Sequence, residues 1–307
     1  MTLSKLTVDQ TRCLLASKQG LQIRTGPFSI KIQSNISLVT ENLYAMYQDS
    51  CLIEDNEFID FHVSVKKPKN IRSILKPQVQ FYFDGNPPFK PLPFQQAFPM
   101  LEWGLNLCVS STANQFLIIH AAVVEKNGAA IILPGPSGSG KSTLCAALIN
   151  SGWRLLSDEL TLISRETGLI QPLARPVSLK NQSIEIIKNR YPDSIFTNIT
   201  KDTAKGTVAH MRAPSISLEK IDIPARARFV IFPKYAPNKA LSRTNISRGQ
   251  GFISLIDNSF NYSLLGEQGF RLMSDTIHHC NCIELKYSKL DDAIEVFDHL
   301  ASKHSYE

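Results

Sequence analysis

No stretch of about 18 consecutive apolar residues, the length that a membrane-spanning helix needs, occurs in this 307-residue chain. The first twenty residues also contain no sustained apolar run of the kind that a secretory signal carries. The sequence therefore predicts a cytoplasmic protein with no membrane among its partners.

Paired C-x-x-C spacing is also absent, and the six cysteines are scattered along the chain: Cys13, Cys51, Cys108, Cys145, Cys280 and Cys282. A scattered set of this kind predicts reduced thiols rather than a disulfide framework. The run HHCNC at 278–282 has no second cluster at a recognised spacing to complete a zinc ligand set, so we expect it to lead into a strand.

Long runs of lysine or arginine are missing as well, which argues against a nucleic-acid partner. The formal net charge is nevertheless +6, and that excess fits an anionic ligand such as ATP or an acidic partner. With 43% hydrophobic residues the chain can bury a sizeable core, and its length suggests one or two domains.

The most informative segment that is present is GPSGSGKS at 135–142, which fits the phosphate-binding P-loop pattern G-x-x-x-x-G-K-[ST]. Its context agrees with the motif, because 129–133 is a short apolar run typical of a buried strand and 142–151 has helical spacing. The sequence therefore predicts a nucleotide site between a strand and a helix.

A triphosphate needs many hydrogen-bond donors at close range, and glycines such as Gly138 and Gly140 let the backbone turn its N–H groups inward. Lys141 can reach the β- and γ-phosphates, and the Ser142 hydroxyl can hold Mg²⁺ at the start of the helix. The residues expected to bind MgATP are Gly135, Pro136, Ser137, Gly138, Ser139, Gly140, Lys141, Ser142 and Thr143.

An acidic pair, Asp158 and Glu159, follows the predicted strand 153–157. A kinase needs a metal-binding carboxylate opposite the P-loop and a base for the acceptor's proton, and this pair can supply both. His120, near the end of the apolar stretch 116–119, is a third candidate; a histidine on a strand is also compatible with a structural role.

The stretch from His120 through the P-loop to Asp158-Glu159 resembles the HPr kinase/phosphorylase catalytic domain, in which a His-containing strand, a P-loop and an acidic pair occur in the same order. Most of the chain is more closely similar to the HPr kinase-related kinase A branch. The segments that carry this resemblance are RTGPF at 24–28, FKPLP at 89–93, the P-loop, RPVSLKN at 175–181 and KGTVAH at 205–210.

The resemblance implies an α/β P-loop kinase domain of the HPr kinase/phosphoenolpyruvate carboxykinase type, with a smaller N-terminal α+β domain. A turn-rich stretch and an apolar helix-like segment precede residue 112, so we expect domains at 1–112 and 113–307. HPr kinase is hexameric, and the resemblance leaves a homo-oligomer open.

On the same resemblance, Asp158 and Glu159 divide the duties of general base and magnesium ligand, and His120 tunes or relays the proton. HPr kinase has two aspartates where this chain has Asp-Glu, and we assign Asp158 as base and Glu159 as metal ligand, with the reverse assignment open. Weaker candidates for binding the acceptor are Lys180, Lys205, His210 and Arg212, as parts of a flexible basic loop that closes on the transferred phosphoryl group.

The function expected from these features is transfer of the γ-phosphoryl group of MgATP to a hydroxyl, either a serine of a protein or peptide or a hydroxyl of a small molecule. Two alternatives stay open at this point. One is an ATP-binding switch or slow ATPase without an acceptor, and the other is phosphorolysis of a phosphoserine.

Overall fold

The computed structural model describes residues 1–54, 57–68, 75–136 and 138–304 as a mixed α/β protein with several sheets. Two compact units can be distinguished. The first unit contains Met1–Val109 and Arg175–Ala213, and the second contains Ser110–Ala174 and Pro214–Glu307. The units are discontinuous along the chain, whereas the division into domains 1–112 and 113–307 is a single cut and stays a prediction.

The strands of the described residues follow in chain order. They are β1 Leu21–Thr25, β2 Phe28–Ser34, β3 Phe61–Lys66, β4 Gln78–Phe83, β5 Leu92–Pro93, β6 Phe116–Lys126, β7 Ala129–Pro134, β8 Arg154–Ser157, β9 Leu160–Ser164, β10 Ile170–Gln171, β11 Val177–Lys180, β12 Thr200–Thr203, β13 Gly206–Met211, β14 Arg226–Tyr235, β15 Ser242–Asn245 and β16 Asn281–Tyr287.

The helices are numbered in the same way, and short 3-10 turns lie at Leu3–Lys5 and Phe94–Gln96. The α-helices are α1 Val8–Ala16, α2 Ser37–Met46, α3 Ala97–Thr112, α4 Lys141–Asn150, α5 Gln182–Arg190, α6 Ser215–Glu219, α7 Arg248–Asp257, α8 Tyr262–His278 and α9 Leu290–His304. In the part of the chain that the structure covers, none of the helices combines the length and the apolar character that crossing a membrane requires.

The described residues of the first unit form two sheets. One has the order β1-β2-β3-β4-β5, in which β2 and β3 are parallel and the other pairs are antiparallel. The other is a small antiparallel sheet with the order β11-β13-β12, built from the segment that follows Arg175.

The second unit is organised around a large sheet with the order β10-β9-β6-β7-β14-β16-β15. An eighth strand, β8, also pairs with β6. Strands β7, β14 and β16 are parallel, so their carboxyl ends meet at one edge of the sheet. In open α/β sheets ligands bind at this edge, beyond the carboxyl ends of the strands.

Alternate side chains of β6 and β7 are buried against α7 and α8 on one face of this sheet, where they form an apolar core with Leu255, Leu272 and Ile277. Helix α4 packs on β6 and against α9, and Trp153 meets Phe297 edge to face with ring centroids 5.8 Å apart. The burial of these apolar side chains holds β6 and β7 in position, and β7 leads into the P-loop.

Candidate active site

The P-loop of the second unit connects the carboxyl end of β7 at Pro134 with the first residue of α4, Lys141. Gly138 and Gly140 have φ angles of 86° and 96°, in the left-handed region that favours glycine. A Cβ on Gly140 would lie 2.7 Å from the Tyr287 hydroxyl. The loop therefore excludes a side chain at Gly140, the residue immediately before the helix.

Lys141 is only 8% exposed, and its Nζ donates to the Gly135 carbonyl and, over 3.3 Å, to the Pro136 carbonyl. The Ser139 hydroxyl is also buried, and no hydrogen-bond partner for its Oγ exists among the described residues. Buried polar atoms without partners are uncommon in folded proteins. An ammonium group and an unmatched hydroxyl in one glycine-rich loop fit a ligand that is rich in anionic oxygen atoms.

Ser142 and Thr143 lie in the first turn of α4 and are partly buried. This position suits both predicted roles, because the first turn of a helix directs its N–H groups outward and attracts anions. Ser137, also predicted to bind phosphate, lies outside the described residues.

Two tyrosines brace the P-loop from the neighbouring parallel strands. The Tyr235 N–H, at the end of β14, donates to the Ser139 carbonyl over 3.2 Å, and the Tyr287 hydroxyl at the end of β16 lies 3.5 Å from the Gly140 carbonyl. The two rings meet edge to face with centroids 5.9 Å apart. Burial, and then the neighbouring Tyr235, raises the pKa of Tyr287, so its hydroxyl keeps its proton at neutral pH.

Sequence reasoning missed Tyr235 and Tyr287. The signal that could have found them is that each tyrosine follows a short strand-like run, at 229–232 or 282–285, and that the carboxyl ends of parallel strands share an edge with the P-loop.

Asp158 and Glu159 form the two-residue connection between β8 and β9. Both strands pair antiparallel with β6, with Ser157 opposite Val123 and Leu160 opposite His120. The acidic pair therefore lies beside the central part of β6 rather than at a free strand end.

The register on the other side of β6 sets the position of the P-loop relative to the acidic pair. Ala121 of β6 pairs with Pro134, the last residue of β7. Because neighbouring strands are about 4.8 Å apart, the backbone of the acidic pair lies about 10 Å across the sheet from the start of the P-loop. Two carboxylate side chains and a bound triphosphate can span that separation.

The Asp158 side chain is 6% exposed and lies near the P-loop helix. Its charge contributes to the raised pKa of the Cys145 thiol on α4, for which burial is the larger cause. Glu159 is partly buried. The two acids thus have different environments, and the more buried one is beside α4.

His120 lies on β6 one residue from Ala121, and so at the same edge of the sheet as the start of the P-loop. Its N–H donates to the Asn258 carbonyl over 2.7 Å, and its ring centroid is 5.9 Å from that of Phe260. The imidazole is partly buried. Because successive strand residues face opposite sides of a sheet, it lies on the face opposite Ile119 and Ala121, which belong to the apolar core.

The four weaker candidates, Lys180, Lys205, His210 and Arg212, belong to the first unit and do not lie on one flexible loop as expected. Lys180 ends β11 and Lys205 lies in the turn between β12 and β13, whereas His210 is inside β13 and only 1% exposed. A strand position next to Phe98, whose ring is 5.3 Å from the His210 ring, explains that burial.

Lys205 and Arg212 each contact a side chain of the first unit. The Lys205 ammonium lies 5.4 Å from the centre of the Trp103 ring, and Arg212 donates to Gln48 over 2.7 Å. Their role in binding an acceptor stays a prediction.

Magnesium fits the oxygen donors of the second unit. Mg²⁺ prefers one or two carboxylates, substrate phosphates and water over a cage made of protein alone. Across residues 1–54, 57–68, 75–136 and 138–304, no group of three or more His, Cys, Asp and Glu side chains forms such a cage. Ser142 with Glu159 or Asp158 is the kind of sparse oxygen set that a nucleotide-bound magnesium ion uses.

Comparisons with known proteins relate this chain to a family model and to a solved structure. Residues 97–174, less than half of the chain, match the family model of the SynChlorMet cassette protein ScmC. Among solved structures, the chain is similar to the Hpr(Ser) kinase/phosphatase from Coxiella burnetii, with 13% identity and a TM-score of 0.28 over 61% of this chain and 95% of that chain. No curated protein matches the sequence.

Proposed function

We propose that the chain is an ATP-dependent kinase that transfers the γ-phosphoryl group of MgATP to an alcohol. One feature of the second unit supports the proposal most strongly. A P-loop with a buried lysine and an unmatched serine hydroxyl lies about 10 Å across a sheet from a pair of carboxylates. Nucleotide binding needs the first element, and transfer to a hydroxyl needs the second.

In the proposed reaction, the oxygen of the acceptor hydroxyl attacks the γ-phosphorus, and the Asp158 carboxylate accepts the proton of that hydroxyl. The bond between that phosphorus and the β–γ bridging oxygen breaks, and ADP leaves with the electron pair. Lys141 exchanges its bonds to the loop carbonyls for the β- and γ-phosphates and stabilises the charge that spreads over the transferred group.

Ser142 and Glu159 are the proposed ligands of Mg²⁺, which supplies neutralisation of phosphate charge when it is bound. Asp158 as base and Glu159 as ligand is the assignment we propose, with Asp158 the more buried of the two carboxylates. His120, at the same edge of the sheet, is proposed to orient the acidic pair or relay its proton.

The acceptor is proposed to be a serine of a protein or peptide, or a small-molecule hydroxyl. The motifs similar to the HPr kinase-related kinase A branch support an HPr kinase-like domain of this kind. Neither comparison names that branch, and the assignment to it stays a prediction, as does the oligomeric state.

A search for the phosphorylated product by mass spectrometry tests the proposal. Purified protein is incubated with MgATP and either candidate peptides or cell extract, with Lys141→Ala as the blank and Lys220→Ala, an exposed lysine of the same unit, as the matched control. With wild type and Lys220→Ala only, we expect a product that is about 80 Da heavier than the acceptor, which is the mass of one added phosphoryl group. A product that forms equally with Lys141→Ala would remove the kinase proposal.

A further inference from the structure

Tyr235 combines a fixed position beside the P-loop with an exposed aromatic ring. Its N–H is held by the Ser139 carbonyl, and its Cβ lies 3.3 Å from the place that a Cβ on Gly140 would take. The residue nevertheless leaves 52% of its surface exposed. An aromatic residue that is held by its backbone and half exposed offers a flat apolar surface at the rim of an anion site.

The surroundings of Tyr235 keep its ring in place. Tyr287, which is buried, contacts it edge to face, and the next residue, Ala236, donates its N–H to the Tyr287 carbonyl over 2.9 Å. The loop that follows is tied down further where the Ser288 hydroxyl donates to the Lys239 carbonyl over 2.9 Å. A rigid aromatic ring loses little conformational entropy when a ligand stacks on it.

The strand order gives the side of the P-loop on which a nucleoside would lie. The acidic pair follows β8, which pairs with β6 on one side of β7, and Tyr235 ends β14 on the other side. A triphosphate whose γ-phosphorus points to the acidic pair directs its opposite end, the nucleoside, away from that pair. That end of the ligand then lies towards the carboxyl end of β14.

We infer that Tyr235 is the platform on which the nucleobase of ATP stacks, an inference that rests on the proposed function. Stacking would bring the π-face of the base against the π-face of the tyrosine ring. Lys234 and Lys239, both exposed on the same segment, add positive charge that favours a nucleoside triphosphate over a neutral nucleoside.

Tyr235→Ala tests the platform without disturbing the loop, because alanine keeps both the backbone N–H and the Cβ. The affinities for ATP and for inorganic tripolyphosphate, which has no base, are measured by calorimetry with Mg²⁺ present. We expect ATP to bind about tenfold more weakly and tripolyphosphate to change by less than about twofold.

Phe270→Ala is the matched control, because Phe270 is 53% exposed on α8 of the same unit, and we expect it to change neither affinity. Tyr235→Trp should restore ATP binding, and its fluorescence should change on addition of ATP but not of tripolyphosphate.

Three outcomes would overturn the inference. Unchanged ATP affinity in Tyr235→Ala, with tripolyphosphate still bound, would remove the platform and leave the proposed function intact. An equal loss for both ligands would mean that Tyr235 only supports the P-loop. Failure of the wild-type protein to bind either ligand would contradict the proposed function and the platform together.

Discussion

Two helices of the second unit begin in opposite ways. Helix α7 starts with a complete capping box, in which the Ser247 hydroxyl accepts from the Gln250 N–H over 3.2 Å and the Gln250 side chain accepts from the Ser247 N–H over 3.0 Å. The N-cap residue of helix α4 is Gly140, which has no side chain to cap the helix, and an added Cβ there would meet Tyr287.

The difference lies in what satisfies the first N–H groups of each helix. The first backbone N–H groups of an α-helix have no hydrogen-bond acceptor within the helix, so side chains, water or a ligand must supply one. At α7 the protein supplies the partner, and the end is structural. At α4 the P-loop offers the same groups together with Lys141 and the Ser139 hydroxyl, which is the arrangement expected of a ligand site.

The largest effect is expected from a side chain at the start of α4. Gly140→Ala would place a Cβ 2.7 Å from the Tyr287 hydroxyl at a left-handed φ of 96°, and we expect ATP affinity to fall by about a hundredfold or more. Calorimetric titration with MgATP measures the change. Gly128→Ala is the control, since Gly128 also has a left-handed φ of 80° but nothing within 4 Å of its added Cβ.

The control variant should bind ATP normally and lose only about 1 kcal/mol of stability from backbone strain. Wild-type affinity in Gly140→Ala would mean that the start of α4 is not where the nucleotide binds.

A smaller effect is expected at the acidic pair. Glu159→Gln removes the charge of the proposed metal ligand while keeping its shape, so the Mg²⁺ concentration for half-maximal activity should rise about tenfold. Activity measured across a magnesium titration gives the value. If the requirement for magnesium rises with Asp158→Asn instead, the two carboxylates have the reverse assignment.

The start of α7 should affect stability alone. Ser247→Ala removes the hydroxyl that caps the helix, and we expect the free energy of unfolding to fall by about 1 kcal/mol while ATP affinity is unchanged. Urea denaturation with and without nucleotide separates the two quantities. A clear loss of ATP binding in this variant would break the contrast between the two helix starts.

The smallest effect concerns thiol reactivity. Cys13 and Cys51 are exposed, whereas Cys108, Cys145, Cys280 and Cys282 are buried and have raised pKa values, mainly because burial disfavours the thiolate. A thiol reagent added to the folded protein should therefore label the first two quickly and the other four only after unfolding. Peptide mapping identifies the labelled residues, and rapid labelling of Cys145 would show that the P-loop helix opens.

Local patterns predicted the P-loop region closely. The strand expected at 129–133 and the helix expected at 142–151 correspond to β7, Ala129–Pro134, and α4, Lys141–Asn150. The same holds for α3, Ala97–Thr112, which corresponds to the apolar helix-like segment expected before residue 112. In these segments the apolar period and the glycine positions agree with the tertiary fold, which is why sequence reasoning succeeds.

Non-local pairing could not be predicted in the same way. That β8 and β9 both pair with β6, and so bring Asp158 and Glu159 beside His120, depends on contacts far apart in sequence. The burial of His210 has the same origin, because Phe98, whose ring contacts it, is distant in the chain. The segment Arg175–Ala213 likewise groups with Met1–Val109 rather than with its neighbours in sequence.

The most direct test of the central claim compares binding and transfer in Asp158→Asn. Wild type and variant are titrated with MgATP, and the transfer of labelled γ-phosphate to the acceptor is followed in parallel. We expect the variant to bind ATP within about threefold of wild type and to transfer phosphate at least about a hundredfold more slowly, because the proposed base is lost. Transfer by the variant at the wild-type rate would contradict the role of Asp158 as the base of a kinase.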